Sequence, residues 1–445
     1  MMNKIAFFLI FTFSTFSFAQ NSLLQSGPMV GYCEMKESMI WLQTKKEASV
    51  KIEYFVIDNE KEIFVSDNYV SKKENAFCNH IILDKLLPGK KYRYTIFIDN
   101  KKQILPYETT FSSKKLWQWR EDAPDFTIAL GSCNYVNEES LDRPGKGYGT
   151  GYGIFEKIAA KNPDIMIWGG DNIYLREADW DTKTGINHRY THSRSVKEIQ
   201  PLLAKTQNFA IWDDHDYGPN NSDRSFYNKN LTHEAFKNFW ANKMYGTSPD
   251  QNIGNYSSFY WGDAEVFLLD NRSFKSPNDR KTGKKEMIGE EQLQWLVDNL
   301  ITSTATFKII VIGGQVLNTV AEKENYSNYL DEKALLLKEI SENKIKGVMF
   351  ISGDRHFTEL SMQIRENDYA LYDWTVSPLT SGTISREKID KERNTNRVNN
   401  SVFNQQCFGN ITFSGNKENR QMKLTLFDKE GLELWNKVIL KKELE

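Results

Sequence analysis

Asp213-Asp214-His215-Asp216 places three carboxylates and an imidazole on four consecutive residues, directly after the apolar run Phe209-Ala-Ile-Trp212. A solvated acidic turn would explain such a group on its own. Buried without cations it would cost several kcal/mol per charge, so charges emerging from an apolar strand are either hydrated or metal-bound. A second group of this kind, Asp354 and His356 in Ser352-Gly353-Asp354-Arg355-His356, follows the apolar pair Phe350-Ile351. Leu130 leads into Gly131-Ser132-Cys133-Asn134-Tyr135, Trp168 into Gly169-Gly170-Asp171-Asn172-Ile173-Tyr174, and Ile312 into Gly313-Gly314-Gln315. Carboxylate, imidazole and thiolate all ligate metals, and glycine ahead of them lets the backbone turn sharply toward an ion. Residues of these types, so placed, are suited to a metal centre.

Cys133 has two ordinary alternatives, a disulfide with Cys407 or an inert buried thiol. Its place directly after a strand and Gly131 favours ligation. Of the six histidines, His215 and His356 stand in the best contexts. His188 and His192 flank Arg189-Tyr190-Thr191 at a spacing of i, i+4, which suits a ligand pair but equally the polar face of a helix, and the helix face is expected. His80 and His233 read as structural.

Each of these clusters needs a strand to deliver it. Phe126-Thr-Ile-Ala-Leu130, Ile165-Met-Ile-Trp168, Phe209-Ala-Ile-Trp212, Val266-Phe-Leu-Leu269, Lys308-Ile-Ile-Val-Ile312 and Lys346-Gly-Val-Met-Phe-Ile351 are short and apolar, as buried strands are. Between them the spacing predicts helices at Ile154–Lys161, Val196–Lys205, Thr232–Ala241, Glu290–Ile301 and Asp331–Glu342. Strands alternating with helices argue an α/β domain, and in open α/β sheets ligands bind beyond the carboxyl ends of the strands. The clusters therefore converge if the strands are neighbours. The chain closes on further strands, Asn410–Leu424 and Leu432–Leu440, around a turn at Asp428-Lys-Glu-Gly431.

Residues 27–112 have another texture. Met39–Thr44, Ser49–Val56, Lys91–Ile98 and Tyr107–Phe111 alternate as β-strands without competing helical periodicity. Leu87-Pro88-Gly89-Lys90 is a turn followed by Tyr92 and Tyr94, similar to the corner tyrosine of fibronectin type III sandwiches. The expected organisation is a β-sandwich at residues 20–113, a linker at 114–124 and an α/β domain at 125–445. At the start, Lys4, the apolar run from Ile5 to Phe18 and Ser17-Phe18-Ala19 have the form of a cleaved signal peptide, residues 1–19, with the cut before Gln20. Export makes disulfides available, and Cys33 and Cys78 could pair within the sandwich. No cysteine near the cut supports a lipid anchor, and no later apolar stretch reaches about 18 residues. A periplasmic or secreted protein with no stable membrane anchor is expected.

Composition narrows the classes further. Hydrophobic residues make up 40% of the 445, enough for a large core, which excludes global disorder. With 57 basic against 59 acidic side chains there is no general electrostatic reason to bind nucleic acid other than as a substrate.

Taken in order, Gly131-Ser132-Cys133, Gly170-Asp171-Asn172-Ile173-Tyr174, Trp212-Asp213-Asp214-His215-Asp216 and Ser352-Gly353-Asp354-Arg355-His356 resemble the motif series of the alkaline phosphatase D (PhoD-like) family. Leu269-Asp270-Asn271-Arg272 and Gly289-Glu-Glu-Gln-Leu-Gln-Trp-Leu296 resemble its connecting segments, and the resemblance covers most of the chain. It implies a four-layer α/β/β/α metallophosphoesterase domain behind a fibronectin III-like sandwich. It also implies a secreted hydrolase that releases phosphate from phosphomonoesters, and from some diesters, by metal-activated in-line attack. Fe³⁺ and Ca²⁺ are the implied cofactors, with Zn²⁺ or Mn²⁺ compatible. Carried over residue by residue, Cys133, Asp171, Asp214, Asp354 and His356 are implied metal ligands, with Asp171 bridging. His215, Arg355 and Asn220 are implied contacts to phosphate or leaving group. The family's tyrosinate ligand falls on Tyr190, with His188 as the alternative at that position. The family's Gly-Asp-Tyr-Ile-Tyr-Glu is Gly-Asp-Asn-Ile-Tyr-Leu here, and its Asp-Asp-His-Glu is Asp-Asp-His-Asp. Two other readings stand beside this one: a phosphodiesterase or phospholipase D-like enzyme on lipids, nucleotides or wall polymers, and a non-hydrolytic phosphoglycan-binding protein. A zinc amide hydrolase lacks any H-E-x-x-H pattern.

Overall fold

The chain begins with β1 (Leu24–Cys33), β2 (Ser38–Thr44), β3 (Ser49–Val56), β4 (Asn59–Val65), β5 (Tyr69–Val70), β6 (Cys78–Leu83), β7 (Lys91–Ile98), β8 (Lys101–Lys102) and β9 (Thr110–Ser112). The computed structural model describes residues 22–246, 254–322 and 324–445, so the leader expected at residues 1–19 lies outside the described residues. These strands form two facing layers, and only one of them is self-contained. Strands β4-β3-β7-β8, with β5 and β9, make a separate sheet, and its corner is closed by the Leu87 N–H donating to the Tyr92 hydroxyl (2.7 Å).

The other layer does not end at the expected boundary. β10 (Phe126–Gly131), β11 (Ile165–Gly169) and β12 (Gln207–Ile211) run parallel, and β1 adds to β12 in parallel, with Val30 opposite Gln207. With β19 (Cys407–Ser414), β20 (Gln421–Asp428) and β21 (Glu433–Leu440), they form one nine-stranded sheet in the order β21-β20-β19-β10-β11-β12-β1-β2-β6. The sheet thus runs through the division drawn at residues 113 and 125. β1 escapes pattern reading because its last eight residues are all buried, and a strand covered on both faces shows no two-residue alternation. Side chains reinforce the join: the Tyr94 hydroxyl donates to the Ala204 carbonyl (2.7 Å) and the Trp41 indole N–H to the Asn238 carbonyl (2.8 Å).

A second sheet is built from β13 (Ser257–Trp261), β14 (Ala264–Leu268), β15 (Phe307–Val311), β16 (Val348–Ser352), β17 (Glu359–Arg365) and β18 (Asp368–Thr375), in the order β13-β14-β15-β16-β18-β17. Alternation explains how the two sheets stack. Ile128, Leu130, Ile165, Ile167, Phe209 and Ile211 join an apolar cluster with Val266, Ile309 and Ile310 of the second sheet. Their neighbours Ala129, Met166, Trp168, Ala210 and Trp212 point the other way, into a separate cluster. That outer cluster takes in residues of α1 (Ile154–Ala160), α2 (Lys183–Arg194) and α3 (Gln200–Lys205). Beyond α4 (Asp214–Tyr217), α5 (Lys229–Phe239) also contributes to it. α6 (Glu290–Thr302) and α7 (Leu330–Glu342) cover the second sheet, where Trp295 meets Phe267, and the short α8 (Arg386–Lys391) follows β18. Among the described residues no helix is long and apolar enough to cross a membrane.

All four cysteines are free and buried. Cys33 and Cys78 lie on β1 and β6 with β2 between them. Two strand spacings are about 9.5 Å, beyond the roughly 7 Å limit for a disulfide's Cα atoms. Cys407 bonds Thr358 Oγ1 (3.0 Å) and is not joined to Cys133.

Since β1, β2 and β6 are part of the main sheet, the α/β region will not stand without them. A chain starting at residue 114 leaves the β12 edge unpaired and is expected to aggregate on refolding. A soluble fragment that melts cooperatively by circular dichroism would show that the N-terminal strands are dispensable.

Candidate active site

The parallel strands of both sheets release their polar clusters at one end of the molecule. Cys133 follows β10, Asp171 follows β11, Asp214 and His215 follow β12, and Asp354 and His356 follow β16. Four of these residues leave their strands in the left-handed region: Cys133 at φ +60°, Asp171 at +51°, Asp354 at +63° and His356 at +55°. Such a conformation costs a non-glycine residue about 1–2 kcal/mol, and residues held in it cluster at functional sites. Here it turns the chain within one residue.

Ligand atoms of Cys133, Asp171 and His356 all lie within 4.8 Å of one another, as do those of Asp171, Asp214 and His215, and of Asp213, Asp214 and Asp354. Asp171 belongs to the first two groups and Asp214 to the last two, so the three form one continuous cluster. Its donors are of two kinds. At one end stand a thiol, an imidazole and a carboxylate; at the other, carboxylates alone. The expected Cys133, Asp171, Asp214, Asp354 and His356 are all here.

Tyr190 is not. Its ring stacks on Phe239 (centroids 4.9 Å apart) in the core between α2 and α5, and its hydroxyl is buried without a hydrogen-bond partner. His188 does not replace it: its Nε2 contacts Glu138 (2.9 Å) on the exposed side of α2. The phenol at the cluster is Tyr174, whose hydroxyl lies 3.1 Å from Asp171 Oδ2 and 3.2 Å from His356 Nε2. The turn after β11 brings Tyr174 back beside Asp171, three residues earlier, and that spacing within the Gly170–Tyr174 motif was the available signal. The i, i+3 and i+4 spacing around Tyr190 instead reflects a helix packing inward.

Neighbouring residues fix the ligand candidates. The His356 Nδ1 lies 2.7 Å from the Gly382 carbonyl, which can only accept, so Nδ1 carries the proton and the Nε2 lone pair faces Tyr174. The Ser377 hydroxyl donates to Cys133 Sγ (3.2 Å). The His215 backbone N–H donates to Asp171 Oδ1 (3.3 Å), and its ring lies against that of Tyr174 (4.2 Å). The Asn221 N–H donates to Asp214 Oδ2 (2.6 Å). Asp213 accepts from Arg272 Nε (2.6 Å), and Arg272 also pairs with Glu324 (2.5 Å). Arg272 and Glu324 carried no role in the sequence reading. Glu324 follows no strand, so its position gave no signal. Asp216 accepts from the Asn172 backbone N–H (3.1 Å) and side chain (3.0 Å), and so braces the turn.

Burial raises the pKa of most of these acids. It acts first on Asp171, reinforced by Asp214 and Cys133, and first on Asp354, reinforced by Asp213 and Glu324; both are held well above the usual carboxylate range. Burial also lifts the Cys133 thiol to about 12 and Asp213 to about 6, the latter against the pull of Arg272. Asp214 goes the other way, because His215, Arg272 and the Asn221 N–H outweigh its burial. A bound cation reverses these tendencies, since it favours the ionised form of every group it touches. Asp213 Oδ2 and Asp214 Oδ1 are buried without a hydrogen-bond partner, and the thiol–imidazole–phenol–carboxylate set matches metal-ligand chemistry. The residues fit metal ions.

Asp171, Asp214, Asp354 and His356 line a cavity of about 960 Å³, together with His215, Asn220 and Arg355, while Cys133 and Asp213 lie buried behind it. Asn220 stands exposed at its rim. The Arg355 guanidinium is shared with Glu392 (2.5 Å) and Asn325 (3.3 Å).

Comparison with known proteins agrees with this architecture. The model of a family described as PhoD-like phosphatase matches residues 128–424, and one described as a domain of unknown function (DUF7800) matches residues 21–116. Alkaline phosphatase D of Bacillus subtilis (strain 168) is 22% identical over 361 residues; the match covers 70% of this chain and 59% of that protein. A solved structure of PhoD superposes with a TM-score of 0.77 at 17% identity, covering 95% of this chain and 91% of the other. A purple acid phosphatase from yellow lupin (Lupinus luteus) seeds gives 0.65 at 11% identity, over 93% and 74% of the two chains. At these identities the two structures speak for a shared fold.

The exchange of Tyr190 for Tyr174 is directly testable. Tyr174→Phe is expected to weaken metal retention at least about tenfold, whereas Tyr190→Phe leaves the metal content of the purified protein unchanged. Equal metal content in the two variants, measured by inductively coupled plasma mass spectrometry after dialysis, would contradict the assignment.

Proposed function

The chain belongs to the PhoD-like phosphatase family, and from that premise we propose that it is a metal-dependent phosphoester hydrolase. The observation that carries the reading is the convergence of Asp171, Tyr174, Asp214, Asp354 and His356 on one open cavity, with Cys133 buried behind them beside Asp171 and His356. Cys133, Tyr174 and His356 would hold one ion, Asp214 and Asp354 a second, with Asp171 between them. Bound there, cations supply neutralisation of phosphoryl oxygens and acidification of the attacking water.

The remaining work falls to the side chains. The His215 ring, fixed against Tyr174, is the group we assign to a phosphoryl oxygen or to the departing alcohol. Arg355 uses part of its five-donor guanidinium on Glu392 and Asn325, and we assign the donors left over to the substrate phosphate. Asn220 would add a neutral donor at the rim. Asp213 and Asp216 brace the loop that carries Asp214 and His215.

Iron with calcium is the metal pair we favour. Thiol, imidazole and phenol suit iron or zinc, while an all-carboxylate end suits calcium or manganese. The form and length of residues 1–19 support export of the protein through a cleaved leader, to the periplasm or the outside. A diesterase reading has one observation in its favour: 960 Å³ is far more room than a phosphoryl group fills. The curated relative extends well beyond the matched region, which spans 59% of its length, so its substrates are not carried over.

The test is hydrolysis of p-nitrophenyl phosphate and bis-p-nitrophenyl phosphate by the mature chain from pH 6 to 10, with metal content measured on the same sample. Monoester turnover is expected, lost on dialysis against a chelator and restored by metal. Asp171→Asn is expected to lower kcat by at least about 100-fold while the thermal melt stays cooperative. Full activity in that variant, or in the metal-free protein, would sink the reading.

A further inference from the structure

Three tyrosines line the wall that rises from the metal-ligand candidates, and they are not equivalent. Tyr174 is buried at the cluster itself. Tyr135 is pinned: its hydroxyl donates to Asp142 Oδ1 (2.8 Å), and the Arg176 guanidinium lies 4.3 Å over its ring. Tyr148 meets Tyr135 edge-on (4.9 Å) and Tyr174 at 6.4 Å, yet it remains 45% exposed and lines the cavity. A large aromatic ring left open beside a reaction centre is a surface for something.

The ring is held there by construction. Its hydroxyl reaches His356 Nδ1 (2.9 Å). On its carboxyl side, the Gly149 N–H donates to Asn137 Oδ1 (2.8 Å) and the Thr150 N–H to the Thr380 carbonyl (2.9 Å). A Cβ on Gly149 would stand 2.3 Å from the Tyr135 carbonyl oxygen, so the loop lies as close to Tyr135 as a backbone can. Leu141 and Trp180 add apolar surface to the same cavity, and Lys146, two residues before Tyr148, lies exposed on its lining.

We propose that this wall is a leaving-group subsite for planar aromatic alcohol portions, the ring of an aryl phosphate or the base of a nucleotide, with Tyr148 as the specificity-determining residue that stacks on them. The proposal rests on the phosphoester-hydrolase reading. It adds what the metal cluster does not decide, which is the group attached to the phosphate. Both aryl and nucleobase rings present the π face that an offset-stacked tyrosine accepts, and stacking of a base on an aromatic side chain is typically worth about tenfold or more in affinity.

The experiment compares adenosine 5′-monophosphate with ribose 5-phosphate, which share the leaving oxygen and differ in the base, using the metal-loaded mature chain. The wild type is expected to favour the nucleotide in kcat/KM, mainly through KM. Tyr148→Ala is expected to reduce that preference about tenfold, and Tyr148→Phe to keep it, whatever either variant does to absolute rates. If Phe loses the preference as Ala does, the hydroxyl bond to His356 is what matters and stacking is overturned. No preference in the wild type overturns it for nucleobases. Calorimetric binding of phenylphosphonate against methylphosphonate supplies the aryl arm and does not depend on turnover. A phenyl preference that Tyr148→Ala removes supports the subsite even in a protein that hydrolyses nothing. Binding of both phosphonates without preference, alongside normal turnover, overturns the subsite and leaves the hydrolase reading intact. Absence of both binding and turnover overturns the two together.

Discussion

Asp171, Asp213, Asp214 and Asp216 are buried, with Asp354 half-buried beside them, within one stretch of the interface where two sheets end. Arg272 is fully buried among them and is committed to Asp213 and Glu324. Backbone N–H groups satisfy part of Asp214 and Asp216, while Asp213 Oδ2 and Asp214 Oδ1 stay buried without a hydrogen-bond partner. Folding accepts this only because the surrounding structure is rigid enough to impose it. The apolar strands on either side, the left-handed turns at Cys133, Asp171, Asp354 and His356, and the braces from Asn172, Asn221 and Gly382 all hold carboxylates where they would not otherwise stay. Stability lost at this edge is the condition for tight binding of metal there.

How much of this could be read from residue types depends on how each element is stabilised. The parallel strands Phe126–Leu130, Ile165–Trp168 and Lys308–Ile312 are short, mostly apolar and followed by glycine, and their expected bounds lie within a residue or two of the observed ones. The helix face expected at His188 and His192 is present, on the helix Lys183–Arg194, but the buried side of that helix could not be read from its residue types. Its inward face contains Ile186 and Tyr190 but also Arg189, Ser193 and Arg194, all buried. It is held by ion pairs, Arg189 to Asp179 and Glu138 at 2.8 Å each, rather than by an apolar stripe. Nothing in that pattern marks Tyr190 as a core residue, so it stood open to the family resemblance, which carries the tyrosinate ligand onto it. β1 was missed because burial on both faces erases alternation. β17 and β18 were missed because Glu359, Ser361, Asp373 and Thr375 fill buried positions with polar groups satisfied by Gln315, Ser352 and Asn394.

The same distinction separates the site's legible and hidden parts. Ligand candidates that leave a strand directly could be found, because strand ends announce themselves. Groups that reach the cluster from elsewhere, Glu324 and Tyr148 above all, depend on loop paths that only the packed molecule determines.

The nine-stranded sheet sets an order of events for the whole molecule. The Cys33 backbone bonds Gln207, 174 positions later, and Thr127 on β10 meets Thr412 on β19, 285 positions later. Tyr174 and His356, which must approach to within 3.2 Å, are 182 positions apart. Contacts this distant form late, since loop closure must be met before they contribute. A nascent chain emerging from its amino end carries Cys133 and Asp171 long before their partners exist. The ligand set can therefore be completed only after Asp354 and His356 have been made and their strand has joined its sheet, so the closing of the fold comes before the metal centre and is not guided by it.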